Sequence, residues 1–130
     1  MNENDNVNHP SHYTSGMPAI EPECFDFAKT MGFCQGNAFK YVWRAGMKKD
    51  AIEDLQKAIW YLRRQYFEDI HDSEYWHFYY EKARELASDA FVEDKLRILH
   101  LICQGMCASA IREIQDMIEG IHRQQKENKE

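Results

Sequence analysis

Five basic residues, Lys40, Arg44, Lys48, Lys49 and Lys57, stand close together in a chain whose formal net charge is −6. Asn37, Lys40, Tyr41 and Arg44 are spaced i, i+3, i+4 and i+7, which puts them on one face of a helix. Lys40 and Arg44 are one turn apart, so both cationic heads can reach one phosphate. Arginine can hold two phosphate oxygens at once, and Asn37 and Tyr41 add neutral hydrogen bonds. That chemistry is recognition of a phosphate-bearing ligand, and a nucleotide is the leading candidate. The competing reading is a solvated helix face whose cations pair with Asp50, Glu53 or Asp54.

Two further sets of residues bear on chemistry. Glu21, Glu23 and Asp26 lie upstream of the basic run, and Asp50, Glu53 and Asp54 lie downstream. Acids at i,i+3 or i,i+4 on two helices can hold magnesium for phosphoryl chemistry. The adjacent Glu pair of the helical nucleotide pyrophosphohydrolases is missing here, and helix capping accounts for Asp50 and Glu53. No metal ligand is assigned. His9 and His12, in the run Asn8-His9-Pro10-Ser11-His12-Tyr13, have the right chemistry for acid/base work or phosphate contacts. A surface loop with local hydrogen bonds is the alternative for that run. Cys24, Cys34, Cys103 and Cys107 show neither CxxC nor zinc-finger spacing, and they read as small core residues. No GxxxxGK[ST] or GxGxxG loop exists, so a nucleotide site must be built from side chains.

The 130 residues suffice for one domain with a real core, over residues 1–130. Between Gly36 and Arg64 there are seven Lys and Arg against three Asp and Glu, leaving −10 for the rest of the chain. A basic island in an acidic protein suits a local anion site and argues against general nucleic-acid binding. No apolar run approaches the roughly 20 residues of a membrane span. The polar segment Met1–Asn8 resembles no targeting peptide, so the expected location is the cytoplasm, that of the host cell for a phage protein.

The elements that must position these residues are helices throughout. Up to residue 21 the chain reads as irregular. Helices are expected over Pro22–Met31, Gln35–Ala45 with Gly46 as its stop, and from an Asp50 N-cap to Ile70. A fourth, rich in aromatics (Tyr75, Trp76, Phe78, Tyr79, Tyr80), follows Asp72 or Ser73 and runs to Ala87. A fifth starts at Ser88 or Asp89 and ends at Gln104 before Gly105. The sixth runs from Met106 to Gln124. Its Cys107, Ile111, Ile114, Ile118 and Ile121 have heptad spacing, suited to antiparallel packing or to a second subunit. The charged tail Gln125–Glu130 should fray. The expected fold is therefore all-α: a compact helical bundle of about five to six helices with an irregular N-terminal segment.

Four strings, Asn8-His9-Pro10-Ser11-His12-Tyr13, Ile20-Glu21, Gly36-Asn37-Ala38-Phe39-Lys40-Tyr41-Val42-Trp43-Arg44-Ala45-Gly46-Met47-Lys48-Lys49 and Asp54-Leu55-Gln56-Lys57-Ala58-Ile59-Trp60-Tyr61-Leu62, resemble a family of small phage proteins. Most of its members have no assigned function. The family looks to include the early nucleotide kinase of the T-odd coliphages, a phosphotransferase without a P-loop. The resemblance covers residues 7–64, and residues 71–130 form a C-terminal helical extension outside it. It implies a nucleoside monophosphate kinase-like activity, with His9, His12, Arg44 and Asp54 as catalytic residues. Tyr13, Asn37, Lys40, Tyr41, Arg44, Lys48 and Lys57 would bind substrate phosphate. Asp54 would hold magnesium or fix Lys57, and Mg2+ would come with ATP. The alternative is a protein that binds a nucleotide or a host defence protein without turnover. Homo-oligomerisation through the fourth and sixth helices is compatible with both.

Overall fold

The computed structural model describes residues 17–18, 20–47, 50–65 and 74–129. Among the described residues there are six helices: α1 (Cys24–Ala28), α2 (Phe33–Arg44), α3 (Ala51–Arg64), α4 (Glu74–Glu85), α5 (Ala90–Cys103) and α6 (Cys107–Lys129). No strand occurs among the described residues, so the all-α expectation holds. The irregular N-terminal run lies outside the described residues as far as residue 16.

Local chemistry sets most helix ends. Asp50 caps α3 by accepting from the Ile52 amide at 2.9 Å, and Asp89 caps α5 by accepting from Val92 N at 2.9 Å. Asp26 accepts from Glu23 N at 2.9 Å and closes a capping box on α1. Gly46 (φ 84°) and Gly105 (φ 73°) turn the chain after α2 and α5 in the left-handed region, where a Cβ is costly.

Three helices differ most from expectation. α1 is shorter than the span from Pro22 to Met31, because residues 29–32 leave the helix as turns that feed α2. α3 reaches Arg64 and is capped at Gln65, short of the expected Ile70. α6 continues through the charged tail to Lys129, where good helix formers and basic residues in the last turn favour the helix.

α2 is the hub. It packs on α1, α3 and α5, while α6 lies across α3 and α5, and α4 lies against α5. One continuous apolar cluster takes residues from all six helices. Its aromatic centre is Phe27, whose ring centroid lies 5.0 Å from Trp76, 6.0 Å from Trp43 and 6.1 Å from Phe39. Trp76 and Phe27 are fully buried, each contributing about 2–3 kcal/mol by burial. All four cysteines are buried and free, as their spacing suggests. The heptad face of α6 is used within the chain: Ile114 is fully buried, and Ile118 and Ile121 pack against the cluster.

Two contacts fix how α2 sits. A Cβ on Gly36 would come 2.9 Å from the Ala28 carbonyl oxygen, so only glycine allows the close approach of α1. Buried Gln35 donates from Nε2 to the Ile102 carbonyl at 2.7 Å, tying α2 to the last turn of α5.

Candidate functional site

α2 buries Phe39, Val42 and Trp43 and turns Asn37, Lys40, Tyr41 and Arg44 toward α3 and the surface. Tyr41 is the centre of this face. Lys40 Nζ lies 4.4 Å from its ring centroid, Lys57 Nζ 5.5 Å, and the Arg44 guanidinium carbon 5.7 Å. The Tyr61 ring stacks beside it at 5.9 Å with a 15° interplanar angle. An open groove of about 490 Å³ runs along this surface, lined by Tyr41, Glu53, Gln56, Lys57, Trp60 and Tyr61. The i,i+3 and i,i+4 steps from Lys57 to Trp60 and Tyr61 put cation and rings on one face of α3.

The three cations are held differently. Arg44 Nε lies 3.4 Å from Asp54 Oδ1, and that carboxylate is 1% exposed. Lys57 Nζ pairs with Glu53 Oε1 at 3.2 Å, with both side chains about half exposed. Lys40 Nζ donates to Asn37 Oδ1 at 3.2 Å and has no ion-pair partner among the described residues. Asn37 in turn donates from Nδ2 to the Phe33 carbonyl at 2.8 Å, which fixes its oxygen toward Lys40.

These environments decide which cation can meet a ligand. The exposed Lys57–Glu53 pair is worth well under about 1 kcal/mol, so an incoming anion can compete for Lys57. The buried Arg44–Asp54 pair cannot be given up cheaply, because either charge left alone in the interior costs several kcal/mol. Arg44 is therefore an anchor between α2 and α3 more than a free phosphate clamp. Lys40 and Lys57 are the cations open to a ligand.

Behind Arg44 and Asp54 lies a third buried charge. Lys95 of α5 is 1% exposed and donates from Nζ to the Ala45 carbonyl at 2.8 Å, at the C-terminal end of α2. An ammonium there meets the negative end of the helix dipole. Burial pushes its pKa down to about 8, against the opposing pull of Asp54, Cys24 and Asp89. Cys24 is pushed up to about 12 by burial, and Lys40 and Lys95 moderate the rise.

The other expected residues are placed as follows. His9, His12, Tyr13 and Lys48 lie outside the described residues. Asp54 does not fix Lys57, whose partner is Glu53, because Asp54 faces inward to Arg44. Four of the six acids weighed for magnesium are engaged separately: Asp26 and Asp50 cap helices, Glu53 pairs with Lys57, and Asp54 pairs with Arg44. Among the described residues no three His, Cys, Asp or Glu side chains gather around a common point. Trp60, Gln56 and Lys95 were not singled out as site residues from sequence. For Trp60 the signal was available in its helical register with Lys57. For Lys95 there was none.

Residues 7–63 match a family described as a protein of unknown function, DUF3310. The match includes α1, α2 and nearly all of α3, and so the whole groove. α4, α5 and α6, including Lys95, lie beyond it. No curated protein and no solved structure matches the chain. Among the described residues no helix is long and apolar enough to cross a membrane.

Proposed function

We propose that the Tyr41–Lys57 groove binds a nucleotide. The observation that carries this reading is the gathering of Lys40, Lys57 and Arg44 around one tyrosine ring at the edge of an open aromatic groove. A nucleotide needs a flat apolar surface for its base and cations for its phosphate. Trp60, Tyr61 and Tyr41 offer the first, and Lys40 and Lys57 offer the second. Counting Arg44, Asp54 and Glu53 with the two lysines, the site carries a net charge of +1. That is enough to favour an anion locally in a chain that is acidic elsewhere.

The resemblance to a family of small phage proteins that looks to include a nucleotide kinase adds a finer proposal. The bound monophosphate would accept the γ-phosphoryl group of ATP, giving ADP and a nucleoside diphosphate. Magnesium would arrive on the ATP phosphates. Lys40 and Lys57 would offset charge on the transferring oxygens. Non-catalytic nucleotide binding uses the same groove without that step.

A thermal-shift screen of nucleoside mono-, di- and triphosphates, with and without magnesium, tests the binding proposal. Ligand binding to the folded state raises Tm by mass action. A selective rise that disappears in Lys40→Met and Lys57→Met proteins is expected. No shift with any nucleotide at millimolar concentration overturns the reading. Product formation from ATP and each monophosphate then separates transfer from binding alone.

A further inference from the structure

The groove is only part of a longer aromatic face. Phe33, at the start of α2, is 70% exposed and does not line the groove, yet its ring lies 5.9 Å from Tyr61. Tyr61 stacks against Tyr41 and meets Trp60 edge-on at 5.0 Å. Trp60 is 50% exposed and carries the Arg64 guanidinium 3.1 Å from its ring centroid. Four rings from two helices therefore run across one surface, interleaved with Lys40, Lys57 and Arg64.

One nucleotide has one base and cannot use this whole row. Ligand pockets for single small molecules usually bury about 70–90% of the ligand, whereas here Phe33 stays exposed outside the groove and Trp60, in its lining, stays half exposed. Rings with cations between them are the arrangement that holds unstacked bases and the phosphates joining them. A duplex offers no free base faces to such rings. The charge distribution points the same way. Residues 36–64 hold seven basic and three acidic side chains, while the remaining chain carries −10 and repels a polyanion from the other faces. This confinement reconciles an acidic protein with a nucleic-acid ligand, which the net charge alone argues against.

We propose that the Phe33–Tyr61–Tyr41–Trp60 face binds a short single-stranded nucleic acid, with the groove as the seat of one of its nucleotides. The proposal rests on the groove accepting a nucleotide, and the mononucleotide is then the smallest fragment of the ligand.

Fluorescence anisotropy with the full chain tests it, using labelled oligothymidylates from the dinucleotide to the dodecamer, with thymidine monophosphate as unlabelled competitor. A matching oligouridylate and a duplex complete the set. Affinity should climb with length to a plateau, and the duplex should bind far more weakly than the single strand. The oligouridylate arm shows whether RNA or DNA is preferred, and a single strand of either kind that binds with rising length supports the proposal. Phe33→Ala and Trp60→Ala should each weaken the long oligonucleotide roughly tenfold, the scale of one lost base stack. Phe33→Ala should leave the monophosphate unaffected, since Phe33 stands outside the groove. Both rings are exposed, so the variants should fold. Oligonucleotides that bind no better than the monophosphate would overturn the single-strand proposal and leave nucleotide binding standing. Failure of both ligands would overturn both. Equal binding of duplex, or full oligonucleotide affinity in both variants, would also overturn it.

Discussion

Arg44 Nε and Asp54 Oδ1 stand 3.4 Å apart across the α2–α3 interface, with the Asp54 side chain buried and the Arg44 side chain 16% exposed. This pair joins the helix that carries Tyr41 to the helix that carries Lys57. Its partner charges are internal, so its first role is to hold the two walls of the groove in register. Removing either member leaves the other charge in the interior. Arg44→Ala and Asp54→Ala should each cost about 3–5 kcal/mol in urea unfolding. The double variant should cost clearly less than the sum of the two. Additive losses would show that the two side chains do not act as a pair.

The neighbouring pair behaves differently because water reaches it. Glu53 competes with any ligand anion for Lys57. Glu53→Gln should change stability by no more than about 0.5 kcal/mol, and it should tighten nucleotide binding several-fold by releasing Lys57. Titration of the variant with a nucleoside monophosphate checks this. Weaker binding would mean that Glu53 contacts the ligand itself.

Stability should depend on pH through two buried groups of opposite sense. Lys95 falls from 10.5 to about 8 on folding. The folded protein then holds fewer protons than the unfolded chain between these values, so stability rises with pH across that window. Cys24 rises from 9.0 to about 12, so above pH 9 the folded state holds the extra proton and stability falls with pH. Urea unfolding should show stability climbing between about pH 8 and pH 9, flattening to about pH 10.5 and falling beyond it. Lys95→Met should remove the climb, and Cys24→Ala should extend it toward higher pH. The same slope in wild type and Lys95→Met would contradict the assignment.

The glycines should separate cleanly. Gly46→Ala puts a Cβ at φ 84°, 3.1 Å from the Phe91 ring, and should cost roughly 1–3 kcal/mol. Gly120→Ala, in α6 with nothing within 4 Å of the new Cβ, should instead stabilise by about 0.5–1 kcal/mol. Thermal or urea unfolding of the two proteins reads the difference.

These contrasts also show how much of the molecule could be read from sequence. The six helices were legible because apolar spacing, the Asp50 and Asp89 caps and the glycine stops are local signals. The face shared by Lys40, Tyr41 and Arg44 was legible for the same reason, since helical register fixes it. Charge partners were not. Asp54 and Lys57 share a helix, yet Asp54 turns inward to meet Arg44 while Lys57 takes Glu53. No local signal marks Lys95 for burial, which depends on the end of α2, 50 residues earlier in the chain. Gln35 is hidden by its contact with Ile102 across 67 residues. Such depths are set by how helices meet, which no local pattern records.

The central claim is that the Tyr41 face exists to take a nucleotide through Lys40 and Lys57. Isothermal titration calorimetry of the wild type and of a Lys40→Met/Lys57→Met double variant with nucleoside mono- and triphosphates measures it directly. The wild type should give saturable binding, and the double variant should bind at least tenfold more weakly, since each charged hydrogen bond is worth about 1.5–3 kcal/mol. No saturable heat from the wild type, or equal affinity in the two proteins, would contradict it.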